Sequence, residues 1–382
     1  MENYEQLAQE QIGWFKQIHR HPELGNEEFE TTRLVRAVLD AHGIRQRPCP
    51  LPTGAVAEIG SGDGPVIGIR ADMDALPVQE LSGLPYASEV PGVMHACGHD
   101  FHTAAALGTA LMLKEMEDEL PGKALVVFQP AEEITDGGKQ MVRSGVTDDA
   151  SVFLSLHTYP FFEAGTVGIR EGAVMAAVDQ FTVTLTGLGG HAGYPHKAID
   201  PIPALAELTC ALQTIVSRRN SPFADALLSI THLEAGNTWN VIPETAVMEG
   251  TVRTLDPAVR QRMHDDFVRI CEGISAAHAL TCDIRWFEGP PALYNDAALC
   301  EIAREEAAKI GLKVDRQEDT MGGEDFAEYL CWPRERPGLF IRIGTGGGTA
   351  NHHPRFTADP AALCPASLLL RNMALRLMRE GR

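Results

Sequence analysis

Four short runs of this chain, Val66–Arg70, Lys123–Gln129, Val152–His157 and Leu339–Ile343, are apolar at nearly every position. A strand with one wet face alternates in polarity. A run that is apolar on both faces needs cover on both, which is the situation of a central strand in a parallel sheet. Between these runs, residues 5–20, 27–42, 101–116 and 296–310 carry apolar side chains at helical spacing. Strands alternating with helices predict an α/β sandwich around a mostly parallel sheet.

The middle of the chain changes period. Residues 180–186, 226–234 and 246–254 alternate, 201–218 and 256–277 have helical spacing, and 281–287 reads as a last strand. The order β-α-β-β-α-β is that of a ferredoxin-like unit. A discontinuous α/β domain is therefore expected over residues 1–177 and 290–382, interrupted by an inserted ferredoxin-like α+β lid over 178–289. Gly289-Pro290-Pro291 closes the insertion as a hinge-like linker. A length of 382 residues accommodates two to three such domains.

Thirty-two Lys and Arg stand against 52 Asp and Glu, a net charge of −20. That balance opposes binding to phosphate backbones and anionic lipid surfaces, so neither nucleic acid nor membrane is expected as a partner. A small anionic substrate stays compatible, because the local field of a cleft can oppose the net charge. Residues 1–11 are polar and acidic, unlike a secretory signal, and no apolar stretch is long enough for a membrane span. The eight cysteines are scattered without a CxxC pair, which predicts reduced thiols and a cytoplasmic protein.

The densest local chemistry is Met94-His95-Ala96-Cys97-Gly98-His99-Asp100-Phe101-His102. Thiolate and imidazole are good ligands for borderline-soft divalent cations. Cys-x-His at a helix start can hold such an ion, or it can be a polar cap over a buried thiol. Pro130-Ala131-Glu132-Glu133 follows an apolar strand, where α/β sheets place their sites. One carboxylate of that pair could bind a cation while its neighbour moves a proton; the bland alternative is a solvated acidic turn. His157 ends another apolar strand, and the Gly-rich loop 346–354 carries His352 and His353, each a ligand or an ordinary polar residue. Asp72 and Asp74, at i and i+2 after a strand, could orient histidine ligands or cap a turn. Gly187–Gly193 lacks GxGxxG spacing and a βαβ context, so a dinucleotide site is not expected. Its glycines instead let the backbone turn and present His191.

Together these segments resemble the M20 metallopeptidases, in particular the amidohydrolase branch with hippurate hydrolases, N-acyl amino acid deacetylases and auxin-conjugate hydrolases. The resemblance runs from His21-Pro22-Glu23-Leu24-Gly25 through Arg70–Pro77, Cys97/His99, Pro130–Glu133 and Leu156-His157. It continues in Gly189-Gly190-His191-Ala192, Asn240-Val241-Ile242-Pro243, Gly323-Glu324-Asp325-Phe326 and His352–Phe356. It implies a homodimer formed through the lid and a centre of two divalent metals. Zinc is favoured by the thiolate, and manganese, cobalt and nickel are also compatible. Cys97, His99, Glu133, His157 and His352 take the ligand positions, Glu132 the general base and Asp74 the orienting acid. Asp72 stands where many M20 peptidases have a histidine. His191 is the equivalent of a lid histidine that assists at the carbonyl oxygen. Asn240 and Arg253 are candidates for holding the substrate, although Arg253 could equally form an ordinary strand salt bridge.

The reaction implied is hydrolysis of the amide of an N-acyl-L-amino acid, acetyl, benzoyl or similar. Cleavage of small peptides, a cysteine hydrolase built on Cys97, and a non-catalytic ligand-binding relative are the alternatives.

Overall fold

The computed structural model describes residues 4–318, 320–331 and 333–382. The first three residues of the polar N-terminal stretch lie outside the described residues. The chain forms two compact units. One comprises Met1–Val174, Tyr294–Glu318 and Asp325–Arg382, the other Met175–Leu293 and Asp319–Glu324.

In chain order the first unit contains α1 (Glu5–Arg20), α2 (Phe29–Ala41), β1 (Arg45–Gln46), β2 (Ala55–Ile59), β3 (Val66–Asp72), α3 (His99–Lys114), β4 (Lys123–Gln129) and α4 (Gly137–Arg143). There follow β5 (Val152–Tyr159), β6 (Thr166–Gly168), α5 (Ala297–Lys309), β7 (Lys313–Asp315), α6 (Ala327–Cys331), β8 (Gly338–Gly344) and α7 (Leu363–Glu380). The strands make one sheet in the order β1-β2-β4-β3-β5-β8-β6-β7. Its centre, β4-β3-β5-β8, is parallel throughout, and antiparallel pairs occur only toward the edges, at β1–β2, β2–β4 and β8–β6.

The two-faced burial read from the apolar runs has a simple origin. Alternate residues of each strand enter different layers. Ile67, Ile69, Val126, Leu154 and Ile341 belong to one large core that includes side chains of α1, α3 and α7. The intervening residues carry a second aromatic layer, in which Phe153 meets Tyr329 at 4.9 Å between ring centroids and Phe340 meets Phe326 at 6.1 Å. Helix α3 is buried from His99 to Leu113, so its alanines and leucines have no polar face to show.

The second unit has a four-stranded antiparallel sheet. Its spatial order is Ala226–Ala235, Thr245–Thr254, Ala177–Thr186, Thr281–Glu288. With helices Pro201–Thr214 and Pro257–Ala277 this is the ferredoxin-like order, and the helices cover one face through Leu208, Leu212, Met263, Phe267 and Cys271. Asp200 and Asp256 accept amide hydrogen bonds as N-caps ahead of Pro201 and Pro257, which explains why those helices begin where they do. The segment ending at Glu324 also belongs to this unit, with the Ala176 amide donating to the Gly322 carbonyl at 2.8 Å. Among the described residues no helix is long and apolar enough to cross a membrane.

Candidate metal centre

The parallel register aligns the carboxyl ends of β3, β4 and β5. Asp72 pairs with Gln129 across β3–β4, and Arg342 of β8 pairs with His157 of β5. Asp74, Glu132 and His157 therefore leave the sheet on the same edge, where ligands bind in α/β folds. The loop before α3 closes over that edge. Gly98 has φ 90°, and a Cβ there would lie 2.5 Å from the Thr158 hydroxyl oxygen, so only glycine fits. The Thr158 hydroxyl donates to the Cys97 carbonyl at 2.8 Å and fixes the loop on β5. The Gly-rich loop docks from the other side. The His352 amide donates to the Ala96 carbonyl at 2.7 Å, and Asn351 Nδ2 donates to the Cys97 carbonyl at 3.1 Å.

The five side chains named as ligand candidates converge. Cys97, His99 and His157 offer donor atoms mutually within 4.8 Å, and so do Cys97, Glu133 and His352. His99, Glu132 and Glu133 form a third such group. Hydrogen bonds set the imidazoles. His99 Nδ1 lies 3.2 Å from Asp74 Oδ1, which can only accept, so the proton sits on Nδ1 and the Nε2 lone pair faces the cluster. His157 Nδ1 lies 2.8 Å from the Thr158 carbonyl, so by the same argument Nε2 is the donor atom, 3.4 Å from Cys97 Sγ. The Arg342 guanidinium, 3.2 Å from that Nδ1, cannot accept its proton and acts as a neighbouring positive charge. Burial, with His102 and Arg342 adding repulsion, holds the His157 pKa well below the ordinary histidine value.

Two donor atoms are buried with no hydrogen-bond partner among the described residues, His99 Nε2 and Glu133 Oε1. Leaving such atoms unmet costs about 1–3 kcal/mol each. Burial, and next to it the charges of Asp74 and Asp72, push the Glu133 carboxyl up to about 7, against the attraction of His99. Burial opposes protonation of His99, yet the Asp72 charge and the Asp74 hydrogen bond outweigh it and raise its pKa. Both shifts report an excess of negative charge around a dry space. Thiolate, imidazole and carboxylate donors arranged in this way fit divalent cations.

The structure also sorts the ambiguous residues. His353 is exposed and its Nδ1 accepts the Arg355 amide at 3.1 Å, whereas His352 Nε2 faces Glu133 Oε2 at 3.5 Å. His102 is engaged at both nitrogens, by Asp72 Oδ1 at 2.6 Å and by the Thr158 amide at 2.9 Å. His95 is buried but joins none of the donor groups around Cys97. Asp72 shares a donor group with His99 and His102, its Oδ2 3.8 Å from His99 Nε2, but it is already engaged elsewhere. It is bound by Arg70 at 2.5 Å, and Arg70 also donates to Gln129 and Asp325, at 2.8 and 2.6 Å. Sequence reasoning missed this buried Arg70–Asp72–Asp325–Gln129 network. Its one trace is an arginine in an otherwise apolar run.

In the second unit, His191 and Asn240 come together. The two-residue strands Gly190–His191 and Val241–Ile242 pair, and the Ala192 amide donates to the Asn240 carbonyl at 3.1 Å. His191 Nδ1 accepts the Gly193 amide at 2.9 Å, which leaves Nε2 as an N–H donor in the neutral ring. Arg253 lies on a different sheet of that unit, in strand Thr245–Thr254. It is half-buried, burial lowers its pKa against the pull of Asp179, and it makes no ion pair among the described residues.

A profile of the peptidase family M20/M25/M40 matches residues 68–376. The chain belongs to this family, and it is a hydrolase of amide bonds. The chain is similar to an N-acetyl-L-cysteine deacetylase of Bacillus subtilis strain 168, with 46% identity over 98% of this chain and 90% of that protein. It is 41% identical to an N-acyl-L-amino acid amidohydrolase of Geobacillus stearothermophilus, over 73% of this chain and 76% of the relative. The crystal structure of a dinuclear metal-binding M20 peptidase from Bacillus subtilis superposes with a TM-score of 0.87 at 40% identity, covering 98% of this chain and 99% of that one. The donor groups and this dinuclear neighbour together support two divalent metal ions.

Proposed function

We propose that the protein hydrolyses N-acyl-L-amino acids to a carboxylate and a free amino acid, with Cys97, His99, Glu133, His157 and His352 holding two zinc ions. The observation that carries the reading is the convergence of those five side chains around Cys97, with Glu132 in a donor group beside them. Zinc is favoured over manganese, cobalt or nickel by the sulfur donor. Cys97, His99 and Glu133 each belong to more than one donor group, so the groups overlap and their side chains would hold the ions close together. Bound there, the cations would supply Lewis-acid polarisation of the carbonyl and a lowered pKa for water.

The remaining work falls to the chain. Glu132, nearly buried, takes the proton of the attacking water and returns it to the leaving amine. Asp74 accepts the Glu132 amide at 3.0 Å and the Glu133 amide at 2.9 Å while it orients His99, so one carboxylate sets both the base and two ligands. His191 is assigned the N–H donor for the developing oxyanion. Arg253, whose fork suits a carboxylate, and Asn240 are assigned to the substrate's amino acid part. A cysteine nucleophile fits less well, because burial and the Glu133 charge push the Cys97 thiol up, away from the thiolate such chemistry requires.

The names of the relatives support the N-acyl amino acid class, and a cytoplasmic location is supported by eight cysteines without a disulfide. We further propose a homodimer formed through the second unit. The deciding experiment is metal-reconstituted enzyme assayed for free amino acid release from N-acetyl, N-benzoyl and dipeptide substrates, beside Glu132→Ala. The variant is expected to keep its metal and to lose about 100- to 10,000-fold in kcat. Full turnover in Glu132→Ala would end the general-base assignment, and a preference for dipeptides would end the N-acyl one.

A further inference from the structure

The turn that presents Glu132 and Glu133 is held in an unfavourable backbone conformation. Ala131, fully buried, has φ 57°, a region that costs a residue with a Cβ about 1–2 kcal/mol. Something must hold the turn there. Two of its amides, those of Glu132 and Glu133, are accepted by Asp74. The third, that of Ala131 itself, donates at 2.8 Å to Glu28 Oε1.

Glu28 is an unusual acid. It occupies the N-cap position of α2, where a carboxylate commonly caps its own helix, yet its side chain makes no cap hydrogen bond. Glu23 takes that task, accepting the amides of Glu30 and Thr31 at 2.9 Å each. The Glu28 side chain turns inward and is 0% exposed. Both its oxygens are used. Oε1 accepts the amides of Asn26 and Ala131, at 3.0 and 2.8 Å, and Oε2 accepts the Thr53 hydroxyl at 2.8 Å. Among the described residues no Lys, Arg or His pairs with it. A buried carboxylate without a counter-ion is costly, and what it acquires here is a grip on one backbone amide immediately before Glu132.

The neighbouring segment reinforces that grip. A Cβ at Gly25 would lie 3.1 Å from Ala131 Cα and 3.3 Å from Asp74 Oδ2, so the chain there rests on both supports of the turn. The Ala75 amide donates to the Glu23 carbonyl at 2.8 Å, and Gln140 Nε2 donates to Asn26 Oδ1 at 3.2 Å. His21-Pro22-Glu23-Leu24-Gly25, a motif with no role in the chemistry above, thus belongs to a brace that reaches the Asp74 loop and the 131–133 turn together.

We infer that Glu28 is a positioning residue for Glu132, fixing through the Ala131 amide the turn from which the general base projects. The inference rests on the proton-shuttle assignment of Glu132. It is tested by measuring kcat, KM, bound metal and melting temperature for Glu28→Ala, Glu28→Gln and Glu28→Asp in the metal-reconstituted enzyme, with Glu132→Ala as reference. Glu28→Ala is expected to lower kcat about 10- to 100-fold with KM and metal content unchanged, as for a small misplacement of a reacting group. Glu28→Gln keeps a carbonyl acceptor for Ala131 and should recover most of kcat. Glu28→Asp, too short to hold Ala131 and Thr53 at once, should resemble alanine in kcat while staying folded, and it decides the matter if the alanine variant does not fold. Unchanged kcat in Glu28→Asp, equal losses in the Gln and Ala variants, or losses that follow metal content would each overturn the inference. Turnover retained by Glu132→Ala would remove the shuttle assignment instead, and that result is read independently of the Glu28 series.

Discussion

At the scale of single residues, His19 is a charge that the first unit keeps buried by pairing it. His19 on α1 is 2% exposed, with Nδ1 2.6 Å from Asp100 Oδ2 and Nε2 3.2 Å from Glu80 Oε1. Burial alone would lower its pKa. The hydrogen bond and charge of Asp100, then those of Glu80, outweigh burial and raise it to about 9, and both acids shift down in return. A rise of that size is worth about 3 kcal/mol for one imidazolium. The sign follows from linkage. A group whose folded pKa is raised gives its full stabilisation below its unfolded value of about 6.5 and loses it as pH climbs through the folded value. The unfolding free energy of the wild type should therefore exceed that of His19→Gln most at pH 6, and the gap should narrow by pH 9.5. Urea unfolding of both proteins across that range checks it, and a gap independent of pH would mean that folding does not raise the His19 pKa.

At the scale of elements, what could be read from the chain and what could not divides along a physical line. β3, β4 and β5 were legible because two-faced burial leaves few polar residues inside them, Arg70 and Ser155 among the exceptions. β6 and β7 were not, since three residues toward a sheet edge carry too little apolar pattern. Helix α3 starts at His99, ahead of the expected Phe101, because His99, Asp100 and His102 are polar residues buried in its first turns. The same blindness hid Glu28 and Arg70, whose charge reads as surface until their partners are seen. Cys97, His99, Glu132 and Glu133 stood out by local density, whereas His157 and His352 gain meaning only from partners more than fifty positions away. One element bears directly on the proposed dimer. Strand Ala226–Ala235 is at the edge of its sheet, with a register shift between Ile230 and His232 and with Leu233 47% exposed. An exposed edge of ten residues is a template for a second chain. Sedimentation should give twice the chain mass, and Ile230→Pro, which disrupts this edge strand, should shift it toward the monomer. A monomeric wild type would reject the proposal.

At the scale of the whole molecule, a chain of net charge −20 gathers Asp72, Asp74, Glu132, Glu133 and Cys97 into one region, where Arg70, Arg342 and the histidines oppose them. Charge repulsion there disfavours the folded state, and bound cations relieve it. Cations that bind the folded chain and not the unfolded one stabilise it by mass action, about 2.7 kcal/mol per site at a hundredfold excess over Kd. Chelation should accordingly lower the melting temperature by several degrees, and added zinc should restore it. The effect must be specific to the donor set, because raised ionic strength also screens a −20 chain. A run at matched ionic strength with sodium in place of zinc should restore little. Cys97→Ala, which removes the sulfur common to two donor groups, should melt near the chelated wild type and respond weakly to chelator. Equal melting temperatures with and without chelator would mean that the buried carboxylates are accommodated by protonation, Glu133 first among them, and that the donors do not retain a cation in solution.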